Sequence, residues 1–285
     1  ITCTVLTSML TSAAQVLKTC GELSNAPIIA GGPHATVMPQ ETLALQGVDA
    51  VAVGEGEETL VEVADRGGDY TEVPGFWYHE DGEVVANEPA PAICDIDAIP
   101  FPARDLLDMD RYMEIWYQLD AVRYGLTGTS VLGSRGCPYN CAYCQPTLRR
   151  IFGKSVRFRS PENIVTELQQ LKSRYNPDGL MWLDDTFLID KPWMRRLCDL
   201  MIDADLDLIW GCNVRADRAD RDILADMQKA GLRIVHVGIE SASQRVLDDI
   251  YHKGITIPQV EKTVTTAHEL GLNVRGYFML GAPTE

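Results

Sequence analysis

The sequence predicts an α/β protein with parallel sheet in two separate stretches. Short apolar, β-branched runs alternate with segments of helical spacing over residues 1–68, and the same alternation resumes near residue 126 and continues to residue 285. The residues between, 69–125, carry a hairpin signal and a string of prolines instead. Apolar strands separated by helices are buried on both faces, which is the pattern of a parallel sheet. The chain has 285 residues, 46% of them hydrophobic. That is enough for about two domains with real cores.

In the first stretch, Thr2 to Thr7 is a β-branched strand and Ala13 to Leu23 has helical spacing, ending near Ser24-Asn25. Ala26 to Ala30 is an apolar strand that runs into Gly31-Gly32-Pro33-His34. Glu41 to Gln46 reads as a short helix, Val48 to Val53 as another buried strand followed by Gly54-Glu55-Gly56-Glu57, and Thr59 to Asp65 as a helix. In the middle segment Asp81-Gly82 lies between Phe76-Trp77-Tyr78 and Val84-Val85, a hairpin signature. Pro89, Pro91, Pro100 and Pro102 then mark an extended linker, where the domain boundary is expected.

The second stretch offers strands at Ser130–Gly133, Gly179–Leu183, Leu206–Cys212, Ile234–Ile239 and Asn273–Leu280. Ser160-Pro161-Glu162 begins the first intervening helix: a cap residue, a proline at the first helical position and a carboxylate at the positive end of the dipole. Ile164, Val165, Leu168 and Leu171 give that helix one apolar face, and Gly231, Gly254 and Gly271 fit helix stops. Five strands with right-handed crossovers make most of a barrel or half-barrel. The chain reads as cut short at both ends.

Formal net charge is −16 with a pI near 4.7. That balance argues against nucleic acid as a partner, since phosphate contacts need a basic face. No apolar run is long enough for a membrane span, and a cytoplasmic location is expected. The eight cysteines do not form a disulfide framework at this length. Three cluster and five are scattered, which points to a reducing compartment and a metal site.

The cluster is Cys137, Cys141 and Cys144, a C-x3-C-x2-C spacing in a loop that follows the apolar Val131-Leu132. Three thiolates can hold three irons of a cubane and leave the fourth iron open to a substrate. A zinc site would need a fourth ligand at short spacing, and the next cysteine is Cys198; Cys212 is the other candidate for such a ligand. A loop after a barrel strand stands at the C-terminal mouth, where active sites of this architecture gather.

Gly136-Cys-Pro-Tyr-Asn-Cys-Ala-Tyr-Cys144 resembles the signature loop of the radical S-adenosylmethionine superfamily. The resemblance implies a 4Fe–4S cluster that chelates S-adenosylmethionine and cleaves it to methionine and a 5′-deoxyadenosyl radical, with Tyr143 near the adenine. Further matches follow at strand ends. Trp182 to Phe187 resembles the family segment near the cofactor's amino group, which Asp184 and Asp185 would meet; Asp185 and Thr186 fit a helix cap equally well. Arg215, ending Gly211-Cys212-Asn213-Val214-Arg215, fits the cofactor carboxylate or a surface salt bridge. Glu240 and Ser241 fit the ribose or methionyl end, and Ser241 also fits a helix cap. Gly276 to Pro283 resembles the adenine-side strand, with Gly281 letting a flat ring approach the backbone.

Ser8-Met9-Leu10, then Gly31-Gly32, resembles part of a cobalamin-binding motif whose histidine-bearing portion would precede Ile1. On that resemblance Ser8, Leu10, Gly31 and Gly32 bind cobalamin. His34 reads as a loop histidine or, less simply, a cobalt ligand. The implied fold is a partial Rossmann-like cobalamin-binding domain (1–68), a hairpin and Pro-rich linker (69–125) and an incomplete (β/α)6 partial barrel (126–285). The implied activity is methyl transfer to an unactivated carbon of an organic substrate. Radical cyclisation, oxidation, rearrangement or methylthiolation are the enzymatic alternatives, and a corrinoid-binding or electron-transfer module is the non-enzymatic one. Arg149, Arg150, Lys154, Arg157 and Arg159 reverse the local charge. They fit docking of an acidic reductase such as a flavodoxin or ferredoxin, an anionic substrate, or ordinary salt bridges.

Overall fold

The computed structural model describes residues 1–144 and 147–285. The chain divides into two compact units, Ile1–Cys94 with Cys144–Ser155, and Asp95–Tyr143 with Val156–Glu285. Among the described residues no helix is long and apolar enough to cross a membrane.

In the first unit β1 (Thr2–Thr4), β2 (Ile29–Gly31) and β3 (Ala50–Ala52) lie side by side and parallel. Helix Leu10–Leu23 connects the first two, and buries Ala13 and Leu17 against Val5, Ile28 and Ala30. The first strand is shorter than its β-branched run because Thr7–Met9 closes into a 3-10 turn. The hairpin expected at the head of the linker belongs instead to this sheet. Its strands β4 (Phe76–Glu80) and β5 (Glu83–Ala86) extend the sheet antiparallel to β3. Phe76 and Tyr78 alternate inward onto Ile29, Ala50, Ala52 and Val73. A lone hairpin has no such face to bury and is marginal in water. Asp81 and Gly82 both take positive φ, 51° and 85°, as a two-residue hairpin turn requires. Helix Thr147–Phe152 packs with this unit, Arg150 Nη1 donating to the Val37 carbonyl at 3.2 Å.

The second unit opens with β6 (Gly128–Val131), then a small antiparallel ribbon of β7 (Ser134–Arg135) and β8 (Arg157–Phe158). It continues through β9 (Gly179–Trp182), β10 (Ile209–Val214), β11 (Leu232–Glu240) and β12 (Asn273–Phe278). The five long strands pair in chain order and all parallel, joined by helices Pro161–Tyr175, Lys191–Asp203, Arg221–Lys229 and Ile257–Glu269. Each helix begins on a side-chain cap: Ser160, Asp190, Asp220, and Thr256 in a full capping box with Gln259. Each such cap is worth about 1 kcal/mol. Between sheet and helices lies the main core, centred on the fully buried Trp182, Phe187 and Trp210.

On the sheet's other face, glycines at successive strands admit a plug. A Cβ on Gly128 would meet the Trp116 ring at 2.2 Å, and one on Gly179 the Leu119 side chain at 2.8 Å. Glycine in a strand interior costs backbone entropy, so its use here marks close approach. The linker thus closes the floor of the half-barrel with Trp116, Leu119 and Leu126 against Ile234. It is also tied to the first helix, where Glu167 is buried between Arg104 and Arg159 at 2.7 and 2.5 Å. Arg159, counted above within a basic run, is thereby an internal partner.

Candidate active site

The cysteine loop leaves β6 at the C-terminal mouth of the half-barrel. Three consecutive residues after β9 hold it. Asp184 is wholly buried, its carboxylate accepting from the Gly133 N–H at 2.9 Å and the Ser134 hydroxyl at 2.5 Å. Burial pushes the Asp184 carboxyl up to about 6, against the pull of those donors. Asp185 opens to the mouth and accepts from the Gly136 N–H, and burial by its surroundings raises its carboxyl above the ordinary range. The Thr186 hydroxyl lies 3.3 Å from Cys137 Sγ. Of the two aspartates expected beside the cofactor, Asp184 therefore braces the loop, because both its oxygens are occupied. Asp185 is the one at the mouth.

Cys141 is buried, and Arg215 after β10 reaches it: Nη1 donates to Cys141 Sγ at 3.7 Å. The same guanidinium lies 3.5 Å from the centroid of the Tyr139 ring, donates from Nε to Asp217 at 3.0 Å and from Nη2 to the Lys253 carbonyl at 2.8 Å. Arg215 is 7% exposed. Its ion pair with Asp217 is therefore buried rather than at the surface, and Nη1 turns toward the cysteine loop. The Tyr139 hydroxyl accepts from Arg218 at 2.7 Å, and the Ala142 N–H donates to the Tyr251 carbonyl at 2.8 Å.

A buried ion pair stands beside the loop. Lys253 Nζ donates to Glu240 Oε1 at 2.7 Å and to the Tyr143 hydroxyl at 2.9 Å, and that hydroxyl donates to Glu240 at 3.0 Å. Tyr143 also meets Tyr251 edge-on, ring centroids 5.5 Å apart. Burial, then the Glu240 charge, pushes the Tyr143 phenol well above its ordinary value, so it stays a hydrogen-bond donor. Glu240 occupies the left-handed region at φ 65°, where the β11–β12 register shifts between Gly238 and Glu240. Gly238 makes the space: a Cβ there would lie 2.6 Å from Glu240 Oε1 and 2.8 Å from Lys253 Nζ. Nothing in its sequence neighbourhood marks Lys253 as part of this site. Its only local signal is a lysine before Gly254 in a turn. Ser241 accepts from the Ser243 N–H at 3.2 Å, which is its turn-capping role. Gly281 follows β12 at φ 87°, its N–H bonded to Glu285 at 2.7 Å.

The donor set fits a cubane. The described cysteines form no disulfide. Cys137 and Cys141 each have a polar neighbour at sulfur, as thiolates need. A cubane binds each of three such thiolates to a different iron.

In the first unit Ser8 lies exposed in the 3-10 turn after β1, and half-buried Leu10 begins the next helix. Gly31 ends β2 and Gly32 follows it. Gly32 takes φ 93°, and a Cβ there would strike the Thr4 side chain at 2.7 Å. His34 is buried, with Nδ1 3.0 Å from the Thr7 hydroxyl and no hydrogen-bond partner on Nε2. These loops follow the C-terminal ends of parallel strands, where open α/β sheets bind ligands. Glycines and an unsatisfied buried imidazole nitrogen suit a large polar cofactor there.

The second unit is thus a parallel half-barrel with a cysteine loop at its mouth, and the first a separate glycine-looped α/β sheet. The family model for the radical SAM superfamily matches residues 131–285, and that for the B12 binding domain matches residues 1–64. The chain belongs to the radical SAM superfamily. Its cofactors are accordingly a 4Fe–4S cluster, S-adenosylmethionine and cobalamin. An uncharacterized methyltransferase of Pyrococcus horikoshii is 36% identical over 99% of this chain and 60% of its own length. The anaerobic magnesium-protoporphyrin IX monomethyl ester cyclase of Rubrivivax gelatinosus is 30% identical over 99% of this chain and 51% of its own. The chain thus spans little more than half of each. The cobalamin-dependent S-adenosylmethionine radical enzyme OxsB, solved with aqua-cobalamin and S-adenosylmethionine bound, shares the fold with a TM-score of 0.76. It is 19% identical, over 99% of this chain and 41% of that one.

Proposed function

We propose that this chain is the core of a cobalamin-dependent radical methyltransferase acting on an unactivated carbon of an organic substrate. The observation that carries the reading is the Cys137–Cys141–Cys144 loop, braced at the mouth of the half-barrel, in a chain whose first 64 residues match the B12 binding domain. The cofactors supply hydrogen-atom abstraction and a transferable methyl group. The chain's residues supply placement. Three thiolates hold three irons and leave one open. Asp185, at the mouth, suits a cationic ammonium. Glu240 offers a carboxylate to the ribose or methionyl end of S-adenosylmethionine and Tyr143 its ring to the adenine, while Asp184, Arg215 and Ser241 shape the loops that carry them. Gly281 leaves backbone open beside a flat ring. Ser8, Leu10, Gly31 and Gly32 line the cobalamin side. Likeness to the P. horikoshii methyltransferase supports methyl transfer; likeness to the cyclase supports radical ring closure as the second reading.

The test is anaerobic reconstitution of the full-length protein with dithionite and methyl-labelled S-adenosylmethionine. 5′-Deoxyadenosine that vanishes in Cys141→Ala, with label appearing on cobalamin, is expected. Deoxyadenosine without cobalamin labelling favours the cyclase-like outcome. No deoxyadenosine from a protein with its full iron count rejects the radical reading.

A further inference from the structure

We infer that Arg215 is a positioning residue that raises the reduction potential of the cluster through Cys141; this rests on Cys141 being a cluster ligand. The guanidinium is held on three sides, by Asp217 at Nε, the Lys253 carbonyl at Nη2 and the Tyr139 ring against its plane. What remains is Nη1, and it points at Cys141 Sγ. Asp217 is the charged group that faces it, through Nε, on the side away from Nη1. The fork geometry and constant charge are what arginine offers and lysine does not.

Reduction adds one electron, delivered by a low-potential reductant, to a cluster already carrying thiolate charge. An N–H donated to the ligand sulfur and a buried positive charge both stabilise the more negative state. Hydrogen bonds to cluster sulfurs are one of the protein's means of setting potential. Tyr139 sits two residues before Cys141 in the loop, so its stacking fixes the sulfur against the donor.

The experiment is a redox titration of the reduced cluster, followed by electron paramagnetic resonance, on anaerobically reconstituted full-length protein without S-adenosylmethionine. Arg215→Gln and Arg215→Lys are compared with wild type, each with its iron count. Arg215→Gln is expected to load iron and to lower the reduced-to-oxidised ratio at fixed potential about tenfold, which is about 59 mV for one electron. Arg215→Lys should recover part of that drop. A normally loaded Arg215→Gln at the wild-type potential overturns the inference, as does an Arg215→Lys no different from Arg215→Gln. Loss of the cluster in both variants assigns Arg215 to building the loop, and also overturns it. A wild-type protein with no cubane signal sinks the ligand assignment instead.

Discussion

Replacing Lys253 with methionine should destabilise the second unit by about 3–5 kcal/mol. The ammonium lies within 2.9 Å of both Glu240 and the Tyr143 hydroxyl, and its side chain is 5% exposed against 9% for Glu240. Removing one partner of a buried pair leaves the other charge uncompensated, at about 3–5 kcal/mol. The assay is urea unfolding of the full-length protein followed by tryptophan fluorescence. Four of this chain's five tryptophans, Trp116, Trp182, Trp193 and Trp210, report on the second unit. With a slope of about 3 kcal/mol/M, the midpoint should drop by about 1–2 M. Glu240→Gln combined with Lys253→Met leaves no buried charge and should regain most of the loss. A single variant within about 1 kcal/mol of wild type would refute the reasoning. So would a double variant no better than the single, since the loss would then lie in packing.

Gly231→Ala should cost about 3 kcal/mol or more. The residue sits at φ 107°, and its Cβ would lie 2.3 Å from the Leu208 carbonyl oxygen, so strain and clash add; a thermal scan matching wild type would contradict this. Asp184 gives a pH signature of defined sign. Its folded pKa is raised to about 6, above the ordinary ~3.9 of an unfolded aspartate. Its contribution is thus complete below pH ~4 and lost as the pH rises through ~6, a swing of about 3 kcal/mol. His236 has the opposite sense: burial lowers it to about 4, so its cost appears as the pH falls from ~6.5 toward ~4. Asp184→Asn should therefore lose less stability between pH 4 and 7 than wild type does. Parallel stability curves for the two proteins would show that Asp184 does not titrate in this range.

The elements of both sheets were legible because each is an apolar run bounded by polar or glycine residues. Gly179–Trp182 and Asn273–Phe278 begin where the sequence places them. The caps at Ser160 and the proline after it were legible for the same local reason. The two-residue strands β7 and β8 carry too few residues to show periodicity. The hairpin's place in the first sheet depends on Phe76 and Tyr78 meeting a core that includes Ile29, Ala50 and Ala52, well outside the local window. At the mouth, the cysteine spacing was readable in full. What held it was not, because each support is long-range: Asp184 to Ser134 across 50 residues, Arg215 to Cys141 across 74, Lys253 to Tyr143 across 110. Residue type alone put Asp184 and Arg215 near the mouth. Only the fold distinguishes a side chain that faces a ligand from one that faces the loop beneath it.

The gap at Gly238 has an evolutionary corollary. Any side chain at that position would occupy the space where Glu240 and Lys253 meet. A drift to alanine is thus blocked while the ion pair is kept, and loss of the ion pair removes the reason for glycine. Positions 238, 240 and 253 should therefore change as a set among descendants of this sequence, with single changes rare and poorly tolerated. A library randomised at these three sites and selected for folding should recover them as linked combinations.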